Sequence, residues 1–245
     1  MVMKRGSLLV LGSGNPHSIT FNTSILVNGG ILLDAPPGVE KIIMNMQRDL
    51  RILKIILISH VHGDHTLGLP QLLVYCGRVL HRTERLYIVG PTELESTLRA
   101  ILDLTFPGET DDILNAANIE FISLSEPEVN ISLFGYNISC LKLNHGAVDN
   151  YGYLIYTNSQ SVAYSGDTGR CENLEILIER ADHILLDMTF LKTRETHTGV
   201  DYMQELALRL HGTKKLYAIH RGDETENITD LPGVILPMSG DEYQL

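Results

Sequence analysis

The stretch His60-Val61-His62-Gly63-Asp64-His65 sets three imidazoles and a carboxylate within six residues. Nitrogen and oxygen donors at that density suit a divalent ion, zinc first, with manganese or iron as alternatives. The stretch directly follows an apolar run at residues 54–58, which reads as a strand buried on both faces. In an extended chain, residues two apart project to the same side, so His60 and His62 can grip one ion together. Gly63 is read as a sharp turn that aims Asp64 and His65 at a neighbouring position. The competing reading is a polar loop of solvated histidines. A single histidine would favour that reading, whereas the density of donors and their place at a strand end favour ligands.

Three more donors stand at matching places. His145 follows a predicted strand at residues 138–143, Asp167 follows one at 161–164, and His220 ends one at 215–219. Sites in α/β layers collect beyond strand ends, where a rigid sheet holds loop residues in register. His60, His62, Asp64, His65, His145, Asp167 and His220 thus converge from four strand ends. Taken alone, His145 or His220 reads equally well as a satisfied histidine at a strand terminus.

The elements that must carry these residues follow from patterning. Residues 24–27 and 31–33 form a hairpin around Asn28-Gly29-Gly30, after a first strand at 7–11. Apolar positions 39, 42, 43, 46 and 50 have helical spacing, which predicts a helix over 39–50. Further helices are expected after Gly68-Leu69-Pro70 through Leu72 and Leu73, and at 94–104, 174–180 and 202–210. Strands are expected at 86–89, stopped by Gly90-Pro91, and at 119–124, 152–156 and 184–186. Mixed strands and helices without a long linker, repeat or low-complexity segment argue for one compact α/β domain over residues 1–245.

Composition narrows the partners. Nineteen Lys and Arg against 30 Asp and Glu leave a net charge of −11, which argues against a large nucleic-acid partner, since phosphate contacts need clustered cations. With 44% hydrophobic and 20% charged residues, global disorder is excluded. No apolar run approaches the roughly 20 residues that span a bilayer, and the apolar run after Lys4-Arg5 is too short for a secretory signal. Cys76, Cys140 and Cys171 are odd in number and lack C-x-x-C spacing, so neither a disulfide framework nor a thiolate zinc site is expected. A soluble, untargeted chain in the reducing cytoplasm is the expectation.

His60, His62, Asp64 and His65 match the H-x-H-x-D-H motif, and the sequence resembles the metallo-β-lactamase superfamily over nearly its whole length. The run from Gly63 through Asp64-His65-Thr66-Leu67-Gly68-Leu69-Pro70-Gln71-Leu72-Leu73 is similar to the G-D-H-x-x-G-L-P-x-L-L run of the ribonuclease Z branch. Asn144-His145-Gly146 followed by Tyr151-Gly152-Tyr153 resembles that branch's third motif, and Ser165-Gly166-Asp167-Thr168 its fourth. Leu33-Asp34-Ala35-Pro36 resembles the early D-x-G turn but departs from its glycine.

The resemblance implies a four-layer αβ/βα sandwich with two divalent ions. By residue-wise carry-over, His60, His62 and His145 would hold the first ion, Asp64, His65 and His220 the second, and Asp167 would bridge them. A water or hydroxide between the ions would be the nucleophile, with Asp64 as ligand and as a group that orients it or takes its proton. His197, in Glu195-Thr196-His197-Thr198-Gly199, resembles the branch's H-S/T histidine, which stabilises the transition state or protonates the leaving group. The competing reading is a surface neighbour of a helix cap. Asp187-Met188-Thr189-Phe190 departs from the branch's H-E-A-T-F, which leaves the acid partner of His197 open; Asp187 is one candidate, and Asp34 could orient a ligand histidine.

The implied activity is a dinuclear metal-dependent hydrolase acting on a small phosphodiester or nucleotide-like ester. The interval between Leu73 and His145 holds no Gly/Pro-rich basic insertion of the kind that grips transfer RNA. Arg170, Lys192, Arg194 and Arg221 lie near Asp167, His197 or His220 in sequence, and read equally as a positive mouth or as scattered surface cations. Alternatives are transfer-RNA 3′ processing, a thioesterase, lactonase or arylsulfatase on the same core, and a non-catalytic metal-binding protein, which would have lost ligands. A redox carrier would need a flavin partner domain. The stretch from Leu67 to Leu73 is a candidate homodimer face, or equally a core helix.

Overall fold

In the computed structural model, which describes residues 6–157 and 159–245, β1 (Ser7–Gly12) runs antiparallel to β2 (Ser24–Val27), and β2 turns back into β3 (Ile31–Leu33). Asn28 and Gly29 make that turn at φ of 52° and 70°, a backbone that Asn and Gly tolerate. Lys4 and Arg5 lie outside the described residues. The expected helix over 39–50 is shorter: α1 spans Val39–Asn45. Gln47 stops it in the left-handed region at φ 55°, where its N–H donates to Met44 and the Arg48 N–H donates to Ile43. This Schellman closure satisfies carbonyls that a longer helix would have used.

β4 (Ile55–Leu57), α2 (Gly63–Thr66) and α3 (Leu69–Val74) follow, and α3 continues as a π-helical turn, Tyr75–Val79. Leu69, Leu72 and Leu73 are buried in the chain's own core, so the apolar side of that stretch is interior and only Leu67 stands exposed. β5 (Leu86–Pro91) runs through Gly90-Pro91 instead of stopping there. α4 (Leu94–Thr105), α5 (Thr110–Ala116), β6 (Ile119–Leu124), β7 (Glu128–Leu133), β8 (Tyr136–His145), β9 (Val148–Tyr156) and β10 (Ser161–Tyr164) come next. α6 (Glu172–Arg180), β11 (His183–Asp187), α7 (Val200–Leu210), β12 (Lys215–Ile219) and β13 (Glu242–Gln244) complete the order.

The strands form two mixed sheets, β13-β1-β2-β3-β4-β5-β6 and β12-β11-β10-β9-β8-β7. Between them lies a core of Leu8, Val10, Ile25, Ile55 and Leu57 from one sheet and Tyr151, Tyr153, Tyr164 and Tyr217 from the other. The first sheet's outer face packs on α1, α3, α4 and α5, and the second's on α6 and α7. Four layers result, helix–sheet–sheet–helix, because each sheet must bury both faces. The Tyr153 hydroxyl donates to the Ile58 carbonyl at 2.6 Å, tying the second sheet to the end of β4, where the histidine stretch begins.

His183 on β11 is 1% exposed and sits between two polar partners. Its Nδ1 faces the Tyr217 hydroxyl at 2.9 Å, and its Nε2 faces Gln160 Oε1. A neutral ring satisfies both, with Nε2–H donating to Gln160 and Nδ1 accepting from Tyr217. Burial, and secondarily the Lys215 ammonium, push its pKa down to about 4. The unfolded chain therefore binds a proton that the fold refuses as pH falls from about 6.5 to 4, and stability drops across that window. His183→Gln is expected to lose about 1–2 kcal/mol less than the parent between pH 7 and 5 in denaturant melts. Identical pH slopes would contradict this.

Candidate metal centre and its cavity

Each candidate ligand stands at a strand's C-terminal end. Ser59 and His60 follow β4, His145 is the last residue of β8, Asp167 follows β10, Asp187 ends β11 and His220 follows β12. β4 belongs to one sheet and the other four strands to its partner, so the residues meet across the top of the sandwich. The seven predicted residues form two groups whose donor atoms all lie within 4.8 Å of one another. One is His60, His62, His145 and Asp167, the other Asp64, His65, Asp167 and His220. Asp167 is common to both.

Gly63 turns the chain differently from the expected sharp glycine bend. It has no positive φ and opens α2, so the helical turn presents Asp64 and His65. A Cβ at Gly63 would meet Leu67 Cδ1 at 2.8 Å, the end of an exposed side chain that can swing aside.

The outer nitrogens of these rings are tied to acceptors, which fixes the tautomers. His65 Nδ1 lies 2.7 Å from Asp34 Oδ2, and His145 Nδ1 lies 3.0 Å from the Thr196 carbonyl. His60 Nδ1 donates to Ser59 Oγ at 3.0 Å, since that hydroxyl gives its own proton to Asp34 at 2.8 Å. His220 Nδ1 likewise donates to Thr189 Oγ1 at 2.9 Å, whose proton goes to Asp187 Oδ1 at 2.6 Å. Four Nε2 lone pairs are thereby left pointing inward. His62 presents Nδ1, 2.9 Å from His60 Nε2 and 3.4 Å from His145 Nε2.

Inward-facing lone pairs at such separations repel unless a cation lies between them. The inner donors are spaced by 2.9 to 3.8 Å. Ligands around an ion at 2.0–2.2 Å are separated by roughly 3.3 Å, so the spacing fits. His65 Nε2 and Asp167 Oδ1 are buried without a hydrogen-bond partner. Buried polar atoms in that condition call for an ion or water. The donor set therefore fits two divalent ions.

Burial would lower His65, but Asp167 and Asp34 outweigh it and raise the ring, while the other shifts favour ligation. Burial would raise the Asp167 carboxyl, but His220, His65 and His60 outweigh it and hold it well below the carboxylate range. Burial opposes ionisation of Asp64 too, and its close approach to His220 and His65 prevails and lowers it. Burial lowers His60 and His145, which keeps both rings neutral and able to ligate.

Asp34 is the main outer support. Its carboxylate is fully buried and accepts from the Ser59 N–H at 2.7 Å, the Ser59 hydroxyl, His65 Nδ1 and the Tyr164 hydroxyl at 2.5 Å. Asp34→Asn replaces an acceptor oxygen by a donor and misorients His65. Metal affinity is expected to fall about 10- to 100-fold, read by competition with a chromogenic chelator. Unchanged affinity would contradict this role.

His197 is no surface cap neighbour. Its Nδ1 donates to Asp187 Oδ2 at 2.8 Å, and its ring stacks with that of His220, centroids 5.6 Å apart. Asp187, fully buried, also accepts from the Thr168 and Thr189 N–H groups. Burial would lower the His197 pKa, but the Asp187 bond and charge raise it. The open question of its acid partner is thus settled as Asp187. These two residues with Asp167 and His220 form a third convergent group, which the sequence had not disclosed.

These residues floor a cavity of about 600 Å³ walled by Pro16, His17, Ala147, Val148, Phe190 and Asp223. The mouth lacks the positive patch that four nearby cations could have formed. Arg170 pairs with Glu205 at 2.8 Å over the Tyr202 ring, and Arg194 pairs with Glu224 at 3.2 Å over the Phe190 ring. Arg221 is buried, and its Nη2 donates to the carbonyls of Thr225, Glu226 and Ile228. Lys192 is exposed and does not line the cavity. Sequence reasoning missed the wall residues His17, Ala147 and Asp223, which lie on loops with no local motif, and Val148, which opens β9.

No helix among the described residues is long and apolar enough to cross a membrane. A ribonuclease Z of Saccharolobus islandicus is 28% identical, with 89% of each chain covered. A diphosphatase described as belonging to the PhnP family has the same fold, with TM-score 0.75, 22% identity and 98% of each chain covered. The short form of human transfer-RNA ribonuclease Z has TM-score 0.71 and 17% identity, covering 97% of this chain and 98% of that one. Residues 30–221 match the profile of the beta-lactamase superfamily domain, a span that takes in all seven candidate ligands and His197. The chain accordingly belongs to the beta-lactamase superfamily, as a metal-dependent hydrolase of the metallo-β-lactamase fold.

Proposed function

We propose that the chain is a phosphodiesterase acting on a small phosphodiester or nucleotide-like ester with two divalent ions, zinc in preference. His60, His62 and His145 would hold one ion, Asp64, His65 and His220 the other, and Asp167 both. Bound there, divalent ions supply an acidified water and neutralise charge growing on the phosphoryl oxygens. Asp64 would orient that water or accept its proton. Asp187 holds His197 so that its Nε2 delivers a proton to the departing ester oxygen.

The observation that carries this reading is the Asp187–His197 pair beside the ligand groups, with its raised histidine pKa. An alkoxide leaving group needs a proton, whereas a thiolate, with a free pKa of about 8.5, departs without one. A proton donor at this place therefore favours oxygen esters over thioesters. The nitrogen-rich donor set supports zinc. We set the activity in the reducing cytoplasm, which the free Cys76, Cys140 and Cys171 support.

The second reading is transfer-RNA 3′ processing, favoured by the relatives named ribonuclease Z. The acidic net charge and a cavity that, among the described residues, no lysine or arginine lines count against it. A panel of bis(p-nitrophenyl) phosphate, a dinucleoside monophosphate, precursor transfer RNA, a thioester and a lactone tests the proposal. Turnover of the small diesters above the others is expected. Thioester or lactone turnover without diester turnover would overturn it, and faster cleavage of precursor transfer RNA would favour the second reading.

A further inference from the structure

The cavity walls carry information about charge beyond the reacting phosphate. Among the described residues, no lysine or arginine lines the cavity, while Asp223 and Glu224 do. Glu224 is matched, since Arg194 lies against one carboxylate oxygen and the Leu191 N–H donates to the other at 3.1 Å. Asp223 is exposed, and among the described residues no cation is paired with it. Its backbone is held by neighbours: the Gly222 N–H donates to Thr225 Oγ1 at 3.1 Å, and the buried Arg221 guanidinium gathers three carbonyls of the same loop. The remaining wall combines apolar Pro16, Ala147, Val148 and Phe190 with the uncharged polar side chains of Asn15 and Thr196 and the His17 imidazole.

No lysine or arginine lines the wall, Arg194 at its edge is neutralised by Glu224, and the floor is where divalent ions and His197 would meet the reacting phosphate. The mouth above it carries the unpaired Asp223 carboxylate beside apolar and uncharged polar groups. A diester with one charge and a neutral arm fits both halves. A second phosphate on that arm would lie near the Asp223 carboxylate with no counter-charge. We propose that the site selects phosphodiesters with no charge beyond the diester itself, their neutral arm resting on the apolar wall, and that Asp223 is the residue that excludes a second phosphate. This rests on the phosphodiesterase reading and specifies its substrate class.

Repulsion between an exposed carboxylate and a phosphate a few ångströms away is modest and salt-sensitive, which sets the size of the effect. The test compares a dinucleoside monophosphate with the same molecule carrying a 5′-phosphate, which adds close to two charges at neutral pH. The parent protein is expected to favour the singly charged diester by about tenfold in kcat/KM at low salt. That ratio is expected to fall by about threefold or more in Asp223→Asn, to fall further in Asp223→Lys, and to narrow with added salt in the parent. A structural effect of the substitutions would lower both rates together and leave the ratio intact.

Equal turnover of the two substrates by the parent would overturn the selection while leaving the phosphodiesterase reading standing. A ratio that persists in both variants would overturn the role of Asp223. Hydrolysis of neither substrate, with thioester or lactone turnover instead, would remove the parent reading and this inference with it.

Discussion

Asp167→Ala is expected to lower diester kcat/KM by about 10³- to 10⁴-fold and to reduce the metal content from two ions per chain to one or fewer. The size follows from the several kcal/mol that paired cations contribute to stabilising a charged transition state, at about 1.4 kcal/mol per tenfold. Asp167 is the only residue common to all three convergent groups, 3.5 Å from His65 Nε2, 3.3 Å from His220 Nε2 and 3.8 Å from His60 Nε2. Without its carboxylate, no anion lies between the rings of the two ligand groups. The turn that presents it stands independently of the side chain, because Gly166 takes φ 56° and Asn150 Nδ2 donates to the carbonyls of Ser165 and Asp167. The variant should therefore keep a parent-like circular dichroism spectrum. Metal analysis together with diester kinetics reads the outcome, and full occupancy with activity within tenfold of the parent would contradict the role.

The second large effect concerns proton delivery. His197→Ala is expected to reduce kcat about 10²- to 10⁴-fold on a dinucleoside monophosphate, the usual range for losing a general acid. With bis(p-nitrophenyl) phosphate the loss should be at least tenfold smaller, because a p-nitrophenolate leaves without protonation. Asp187→Asn should reproduce the same leaving-group pattern at smaller amplitude, since the amide neither holds the imidazolium nor accepts with the same strength. Asp187 also accepts two backbone N–H bonds, so thermal melting accompanies its kinetics. The split between the two substrates is the reading that a fold defect cannot imitate. Equal losses on both leaving groups would contradict a proton-donor role for His197.

How much of this was legible in the sequence depends on whether the information is local. His60, His62, Asp64 and His65 sit in one hexapeptide, and strand-end placement pointed to His145, Asp167 and His220, which meet across two sheets. The strands with strong apolar runs were likewise legible. The helix over 39–50 was overextended because periodicity ignores the left-handed stop at Gln47. β7 was missed although Val129, Ile131 and Leu133 alternate at period two, because its exposed polar partners dilute the apolar signal of an edge strand. β13 is three residues long and exists through pairing with β1 at the other end of the chain, which no local pattern reveals. α5 opens with Thr110-Asp111-Asp112 and packs only Ile113 and Leu114 inward, too few positions to show a period.

The site divides in the same manner. The candidate ligands were readable, whereas their supports were only partly so: Asp34 and Asp187 were candidates whose partners, His65 and His197, required three-dimensional placement. The charge of the mouth was the least legible feature. Sequence proximity put four cations near the ligands, but a side chain's direction depends on what else can hold it. Glu205 and three loop carbonyls hold Arg170 and Arg221, and Glu224 of the cavity wall neutralises Arg194.

The central claim, two ions held by the seven ligands as the source of diester hydrolysis, is tested most directly by stripping the protein with a chelator and titrating it with zinc while following both bound metal and dinucleoside monophosphate cleavage. Near-zero turnover in the stripped protein, saturation at two ions per chain, and turnover that rises to its plateau with the second ion are expected. Full turnover in the stripped protein, or no zinc bound at micromolar concentration, would contradict the claim.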